Sequence, residues 1–262
     1  MNYKKVETAK TNIESEYESL YRIVLTLSRK CNYKCSFCPQ SNANISKKFK
    51  AGFLSLKTVE KLIENLDGKF SGTFSLSGFG EPTLNPDFFN IILKLKNETC
   101  AKVDVISNGS NINKLLECKA DTIHISAYNP NLEEKLIKAT LEDDRVTVLQ
   151  KYKCDNFNNR GGNLYNIKQS LNTSCNILFM KLSIDYNGDI LKCCSDWTKK
   201  DILGNVYKDS IWDIWFNKTQ EDKINMINGM RNEILICKNC NAVGNLYGNQ
   251  FKDFWIKYYE KN

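Results

Sequence analysis

Between residues 23 and 152, short β-branched apolar runs alternate with segments whose apolar residues recur every three or four positions. That alternation constrains the fold more than any other feature. Residues 23–30 make a first strand, and further strands are read at 73–77, 102–107, 121–127 and 145–152. After a long polar loop, Val59, Leu62, Ile63 and Leu66 fall at i, i+3, i+4 and i+7, one face of a helix. A second helix starts at Asn85-Pro86 and presents Phe88, Ile91, Ile92 and Leu95. A short one spans 111–118, and a fourth starts at Asn129-Pro130 with Leu132, Leu136 and Ile137 facing inward. Alternating strands and helices give parallel strands with right-handed crossovers. Five strands and four helices are too few to close an eight-fold barrel. The predicted fold is therefore α/β: a partial, open parallel βα barrel of about five strands.

The pattern changes near residue 153. Residues 154–166 are polar and rich in Gly and Asn, as a linker or active-site loop would be. Residues 179–193 read as a hairpin turning at Asn187-Gly188, followed by short helices at 211–216 and 220–231. The tail sets Phe251, Phe254, Trp255, Tyr258 and Tyr259 at helical spacing, a packing face rather than a cofactor site. The expected organisation is an N-terminal extension (1–19), the barrel (20–165) and a small C-terminal domain (166–262).

Eleven cysteines set the chemistry. The polar start lacks the apolar core of a secretory signal, and no apolar run approaches the length of a membrane span, so the expected location is the cytoplasm. An odd cysteine count there argues for metal ligation over a disulfide framework. The formal charge of +7 does not by itself call for nucleic acid. Seven ligating thiolates would remove seven charges and two 2+ clusters return four, and the lysines read as scattered over a solvated surface.

Cys31, Cys35 and Cys38 form C-x3-C-x2-C on the loop after the first strand. A cubane cluster takes four thiolates, so three in one loop leave one iron open to a small molecule. Zinc is the alternative, but it requires four ligands, and His124, the only histidine, lies on another strand. Cys175, Cys193, Cys237 and Cys240, with Gly188 at the hairpin turn, supply four thiolates that suit either zinc or a cubane. Their spacing alone leans towards zinc. Cys100, Cys118, Cys154 and Cys194 remain, each read as a packing residue.

The first motif, with the aromatic Phe37 before its last cysteine, resembles the signature of radical S-adenosylmethionine enzymes. The resemblance implies that the open iron chelates the methionine moiety of S-adenosyl-L-methionine. Electron transfer then yields a 5′-deoxyadenosyl radical that abstracts a substrate hydrogen. Gly78-Phe79-Gly80-Glu81-Pro82 is similar to that family's Gly-Gly-Glu-Pro motif with Phe79 lengthening it. Gly78 and Gly80 would admit the ligand amino group, and Glu81 would hold its charge. By the same resemblance Ser107, Asn108 and Ser126 meet the ribose or the methionine carboxylate. All of these lie at the C-terminal ends of strands, where parallel βα barrels build active sites. His124 alternates with Ser126 and is read as a hydrogen-bonded core histidine.

The run Cys175-x12-Gly188-x4-Cys193 resembles the opening of the SPASM/twitch extension of these enzymes, as do Gly204-Asn205-Val206 and Ile211-Trp212. That makes the C-terminal part an iron–sulfur domain and the cofactors two [4Fe–4S] clusters plus S-adenosyl-L-methionine. Within the family the chain is most similar to the branch that dehydrogenates 2-deoxy-scyllo-inosamine. This implies oxidation of a secondary alcohol of a sugar or cyclitol, with the auxiliary cluster as electron acceptor. Arg160 would orient the hydroxyl, and Asp196 is a candidate for proton transfer. The implied partners are a small-molecule substrate (sugar, cyclitol or peptide) and an external electron donor such as flavodoxin or ferredoxin. Neither a membrane nor nucleic acid is expected. Two rivals stand: an epimerising or peptide-modifying radical enzyme in which Cys154 or Cys194 returns a hydrogen atom, and a non-enzymatic zinc protein.

Overall fold

The computed structural model describes residues 13–48, 50–150, 157–169, 171, 173–244 and 246–261. Residues 1–12, the end of the fifth expected strand at Tyr152, and Cys154 lie outside the described residues. Strands β1 (Arg22–Thr26), β2 (Thr73–Ser77), β3 (Lys102–Ser107), β4 (Thr122–Ala127) and β5 (Val146–Gln150) match the expected ones, and β6 (Lys181–Ile184), β7 (Asp189–Leu191) and β8 (Ile202–Asn205) follow. They form one open sheet in the order β5-β4-β3-β2-β1-β6-β7-β8. The first six are parallel, while β7 and β8 run antiparallel. The hairpin is real, but its first strand pairs in parallel with β1, so the parallel part has six strands rather than five.

Alternation divides the sheet faces. Ile23, Leu25, Phe74, Leu76, Val103, Val105, Ile123 and Ile125 join the apolar core with the helices that cross over them. The other face is polar. Arg22 bridges strands through a 2.6 Å ion pair to Asp104, which also accepts from Thr122 Oγ1 at 2.6 Å. Both charges are buried there and satisfied by each other, as buried ions must be. His124 sits on this face with Ser126. Its Nδ1 has no hydrogen-bond partner among the described residues, and burial pushes its pKa down, so it stays neutral.

Helices α1 (Leu56–Leu66), α2 (Phe88–Glu98), α3 (Ile112–Glu117) and α4 (Glu133–Glu142) connect the strands. Ser55 caps α1 by accepting from Thr58 N, and Asn111 caps α3 by accepting from Lys114 N. Asn85, read as a cap, does accept from Asp87 N through its Oδ1 at 2.8 Å in the turn that leads into α2, and it does more. Its Nδ2 donates to the carbonyls of Leu27 (2.7 Å) and Leu54 (3.0 Å), tying the end of β1 to the start of α1, and α2 begins only at Phe88. Ile137, expected to face inward, is 45% exposed. It lies one residue beyond Leu136, a rotation of about 100° that carries it off the buried stripe.

In the C-terminal part, α5 (Gln220–Ile227) and α6 (Asn249–Lys261) enclose the aromatic stripe. Phe251 and Trp255 are buried, and Trp255 Nε1 donates to Phe179 O at 3.0 Å. The buried Lys223 Nζ lies between Trp215 and Trp255, 3.7 and 3.4 Å from their ring centres. The stripe is a packing face, as its spacing suggested. Phe74, fully buried in the central β2, tests the core. Phe74→Ala should cost about 3–5 kcal/mol, read as a lower urea midpoint at unchanged slope.

Candidate active site

One cleft opens at the C-terminal ends of β1 to β4. Cys31, Cys35 and Cys38 line it from the loop after β1, together with Gly78, Gly80 and Glu81 after β2, Ser107 and Asn108 at the end of β3, and Ser126 on β4. Arg160 reaches it from a later loop. Local sequence explains these placements. Gly78 has φ +98°, and a Cβ there would lie 2.2 Å from Thr26 Oγ1. Gly80 lies against the carbonyls of Ser28 and Lys30. The glycines therefore let the β2 loop close onto β1, a reason separate from ligand approach.

Glu81 departs from the expected role. It is 2% exposed, and its carboxylate is already saturated. Oε1 accepts from Thr83 N (3.1 Å), Thr83 Oγ1 (2.7 Å) and Ser107 Oγ (2.8 Å), and Oε2 accepts from Asn108 N (2.8 Å). Four such bonds make it a brace that fixes the β3 end rather than a free counter-charge for an ammonium. Through it, Asn108 is held with Nδ2 3.9 Å from Cys31 Sγ and 2.8 Å from Asn32 Oδ1.

Asp196 is corrected in the same way. It is buried, it does not line the cleft, and its two oxygens accept from Lys200 N (2.9 Å) and Asp201 N (3.0 Å). Those bonds shape the loop after Cys194, and burial away from the cleft keeps the carboxylate from any substrate proton there.

Several cleft residues carry no motif in the sequence. Phe37 stacks on Phe157 with centroids 3.8 Å apart and leans on Tyr128 at 5.1 Å, making an aromatic wall beside the cysteines. Trp197 meets Phe79 edge-on at 4.9 Å, and Cys38 packs against that pair. Gln40 donates to the carbonyls of Arg29 and Phe79, joining the cysteine loop to the glycine loop. The aromatic position between Cys35 and Cys38 was the one available signal.

The second cysteine set gathers from three segments. Cys175, Cys237 and Cys240 lie close enough to perturb one another electrostatically, and Cys193 lies beside Cys175. Gly244 makes room for them: a Cβ there would sit 2.1 Å from Cys175 Sγ. Cys194 shares a hydrogen bond with Cys193 and is exposed, while Cys118 packs in the core. Arg231 is buried with no carboxylate partner among the described residues. It donates instead to the carbonyls of Thr173, Cys240 and Ala242, and its Nε is unpartnered.

Arg160 stands between the two sets. Its charge reaches Cys35 and Cys38, whose thiols burial nevertheless pushes up, and Cys194, whose thiol is brought down chiefly by its hydrogen bond with Cys193. The loop is pinned to the second set: the buried Asn159 pairs with Asn241 and donates to Asn239 O (2.6 Å), and Asn163 donates to Ser195 O (3.0 Å). Arg160 itself has φ +52°, and its Nε is buried without a partner among the described residues. An orphaned guanidinium N–H in a cleft is a waiting donor.

Residues 25–167, more than half of the chain, match the Radical SAM superfamily. The chain belongs to that superfamily. Residues 175–241 of this radical SAM protein match SPASM, an iron–sulfur cluster-binding domain, which sets the four-cysteine spacing with iron rather than zinc. An S-adenosyl-L-methionine-dependent 2-deoxy-scyllo-inosamine dehydrogenase of Niallia circulans is 28% identical over 238 residues, covering 84% of this chain and 92% of that one. The crystal structure of BtrN in complex with AdoMet and 2-DOIA shares the fold at TM-score 0.76 and 24% identity, over 89% of this chain and 97% of that one. Streptococcus suis SuiB bound to precursor peptide SuiA shares it at TM-score 0.53 and 15% identity, over 84% and 69%. No helix among the described residues is long and apolar enough to cross a membrane.

The family's cofactors are S-adenosylmethionine and iron–sulfur clusters, and the residues present fit them. All ten described cysteines are free. Cys31, Cys193 and Cys240 each accept a backbone N–H, from Tyr33, Ser195 and Ala242, at 3.4 Å. The core residue Cys118 accepts one too, so that contact alone does not mark a ligand. Charge balance says more. Burial, then the neighbouring Cys38 and Cys31, push Cys35 up to about 11, and burial pushes Cys237 up to about 12. Thiolates crowded like this need a bound cation to coexist. Beside the second set, the buried Arg231 in turn needs the net anion that a four-thiolate cluster provides.

Proposed function

We propose that this radical SAM enzyme oxidises a secondary alcohol of a sugar or cyclitol to a ketone. The observation that carries the reading is Arg160, which lines the three-cysteine cleft, has an Nε with no partner among the described residues, and sits on a loop pinned to the second cysteine segments through Asn159 and Asn163. The dehydrogenase similarity over most of both chains supports it. In this reading Cys31, Cys35 and Cys38 hold a [4Fe–4S] cluster with one open iron, and Cys175, Cys193, Cys237 and Cys240 hold a second, complete cluster. When bound, the first cluster and S-adenosylmethionine supply a hydrogen-abstracting 5′-deoxyadenosyl radical, and the second cluster supplies a one-electron acceptor.

The chain's own residues do the positioning. Gly78, Gly80, Ser107, Asn108 and Ser126 shape the S-adenosylmethionine side of the cleft. Glu81 keeps Ser107 and Asn108 in register. Phe37, Tyr128 and Trp197 exclude water around the reacting carbon. Arg160 donates to the substrate hydroxyl oxygen, aiming the carbinol C–H at one set while holding the carbon near the other. The alcohol would give one hydrogen atom to the 5′-deoxyadenosyl radical, its hydroxyl proton to solvent and its remaining electron to the second cluster, with S-adenosylmethionine the oxidant consumed once per ketone. An external one-electron donor, flavodoxin or ferredoxin, starts each reaction.

The test is anaerobic turnover of reconstituted protein with 2-deoxy-scyllo-inosamine as the first substrate. One ketone should form per 5′-deoxyadenosine. Arg160→Met should lower ketone formation on the order of 100-fold, with substrate-free cleavage of S-adenosylmethionine unchanged. Cleavage without ketone from any sugar or cyclitol offered would defeat the dehydrogenase reading.

A further inference from the structure

The chain between Glu18 and Glu60 contains no carboxylate, yet it carries Arg22, Arg29, Lys30, Lys34, Lys47, Lys48, Lys50 and Lys57. Along the sequence the lysines look scattered. Folded, all six are exposed, with Lys30 and Lys34 on or beside the loop that holds Cys31, Cys35 and Cys38, while the two arginines are buried in ion pairs with Asp104 and Asp185. Near this loop lies a second groove, separate from the cysteine cleft, lined by Arg29, Lys48, Lys50, Tyr186, Trp197 and Lys199. Its nearest carboxylates are committed. Asp185 is fully buried between Arg29 (2.8 Å) and Lys199 (2.6 Å), and Asp189 binds Lys199 at 2.7 Å. Lys48 and Lys50 have no carboxylate partner among the described residues. The groove therefore presents net positive charge to solvent.

Trp197 lines both cavities. It contacts Phe79 at 4.9 Å, and Cys38 packs on that pair, so a thin aromatic wall separates the cationic groove from the first cysteine set. Arg29 braces the wall from the groove side, its guanidinium 4.5 Å from the Phe79 ring centre. A redox centre set behind such a wall, under an uncompensated basic rim, suits a negatively charged partner that delivers electrons and leaves.

We propose that this groove, with Lys48 and Lys50 on its rim, is the docking surface of an acidic one-electron carrier protein that reduces the first cysteine set's cluster past Trp197 and Phe79. The proposal rests on the radical reading above. In the step the carrier loses one electron and the cluster gains it, with no bond made or broken. Rim charges act mainly on association rate and on salt dependence, so the contribution of Lys48 and Lys50 should be large at low salt and screened at high salt.

The experiment uses the reconstituted holoprotein and an acidic flavodoxin. Binding is measured calorimetrically at low and high salt, and cleavage of S-adenosylmethionine is driven either by reduced flavodoxin or by dithionite. The K48E/K50E variant should bind flavodoxin about tenfold more weakly at low salt and lose flavodoxin-driven cleavage in proportion. Dithionite-driven cleavage should stay at the wild-type rate, and K48R/K50R should bind like wild type. Undiminished flavodoxin binding by K48E/K50E would overturn the docking surface, as would an equal loss under both reductants. Absence of cleavage by the wild-type protein under dithionite would instead defeat the radical reading.

Discussion

Protein in which Cys31, Cys35 and Cys38 are all replaced by alanine is expected to make no 5′-deoxyadenosine above background. The reason is local. The three thiols line one cleft from one loop, and no other described cysteine lines it. In the proposed reading their removal takes away every protein ligand of the cluster that has an open iron, and about four irons should go with it. The fold should survive, because none of the three is fully buried and the loop is held by other contacts, including Asn85 Nδ2 on Leu27 O and Gln40 on Arg29 O. Iron analysis and chromatography of anaerobic reactions check this. The variant should keep the second cluster's iron and the wild-type melting profile.

The second large effect is the opposite dissociation. Replacing Cys237 and Cys240 with alanine should remove about four irons while leaving the first cluster and its cleavage of S-adenosylmethionine intact. The two sets come from separate loops, and the link between them runs through the Arg160 loop rather than through a shared ligand. Ketone formation should fall to background, because the alcohol's remaining electron then has no acceptor within the protein. Arg231 would be left buried without its anion, so this variant should also melt earlier. Retention of full iron content would show that Cys237 and Cys240 are not ligands. Full ketone yield with half the iron would mean the electron leaves by another route.

Much of this architecture is legible in the amino-acid sequence. Strand ends and the three-cysteine loop follow from periodicities of two and three to four residues and from fixed thiol spacing, both local signals. The residues that mislead are those whose partners lie far along the chain. Glu81 reads as a ligand-binding acid because nothing nearby shows that Ser107 and Asn108, 26 and 27 residues on, take its oxygens. Asn85 reads as a cap through its local bond from Asp87 N, but its second job, donating to Leu27 and Leu54, 58 and 31 residues earlier, leaves no local sign. The parallel seating of β6 against β1 is hidden by the hairpin, whose turn signal fixes only the pairing of β6 with β7. Trp197 carries no motif, and its place between two cavities exists only in three dimensions.

The fate of the abstracted hydrogen tests the central claim most directly. A cyclitol substrate deuterated at its carbinol carbons should transfer one deuterium to 5′-deoxyadenosine. The ketone formed from unlabelled substrate in D2O should carry no deuterium at a non-exchangeable carbon. An unoxidised product bearing solvent deuterium on carbon, lost on replacing Cys154 or Cys194, would contradict the account and identify an epimerase.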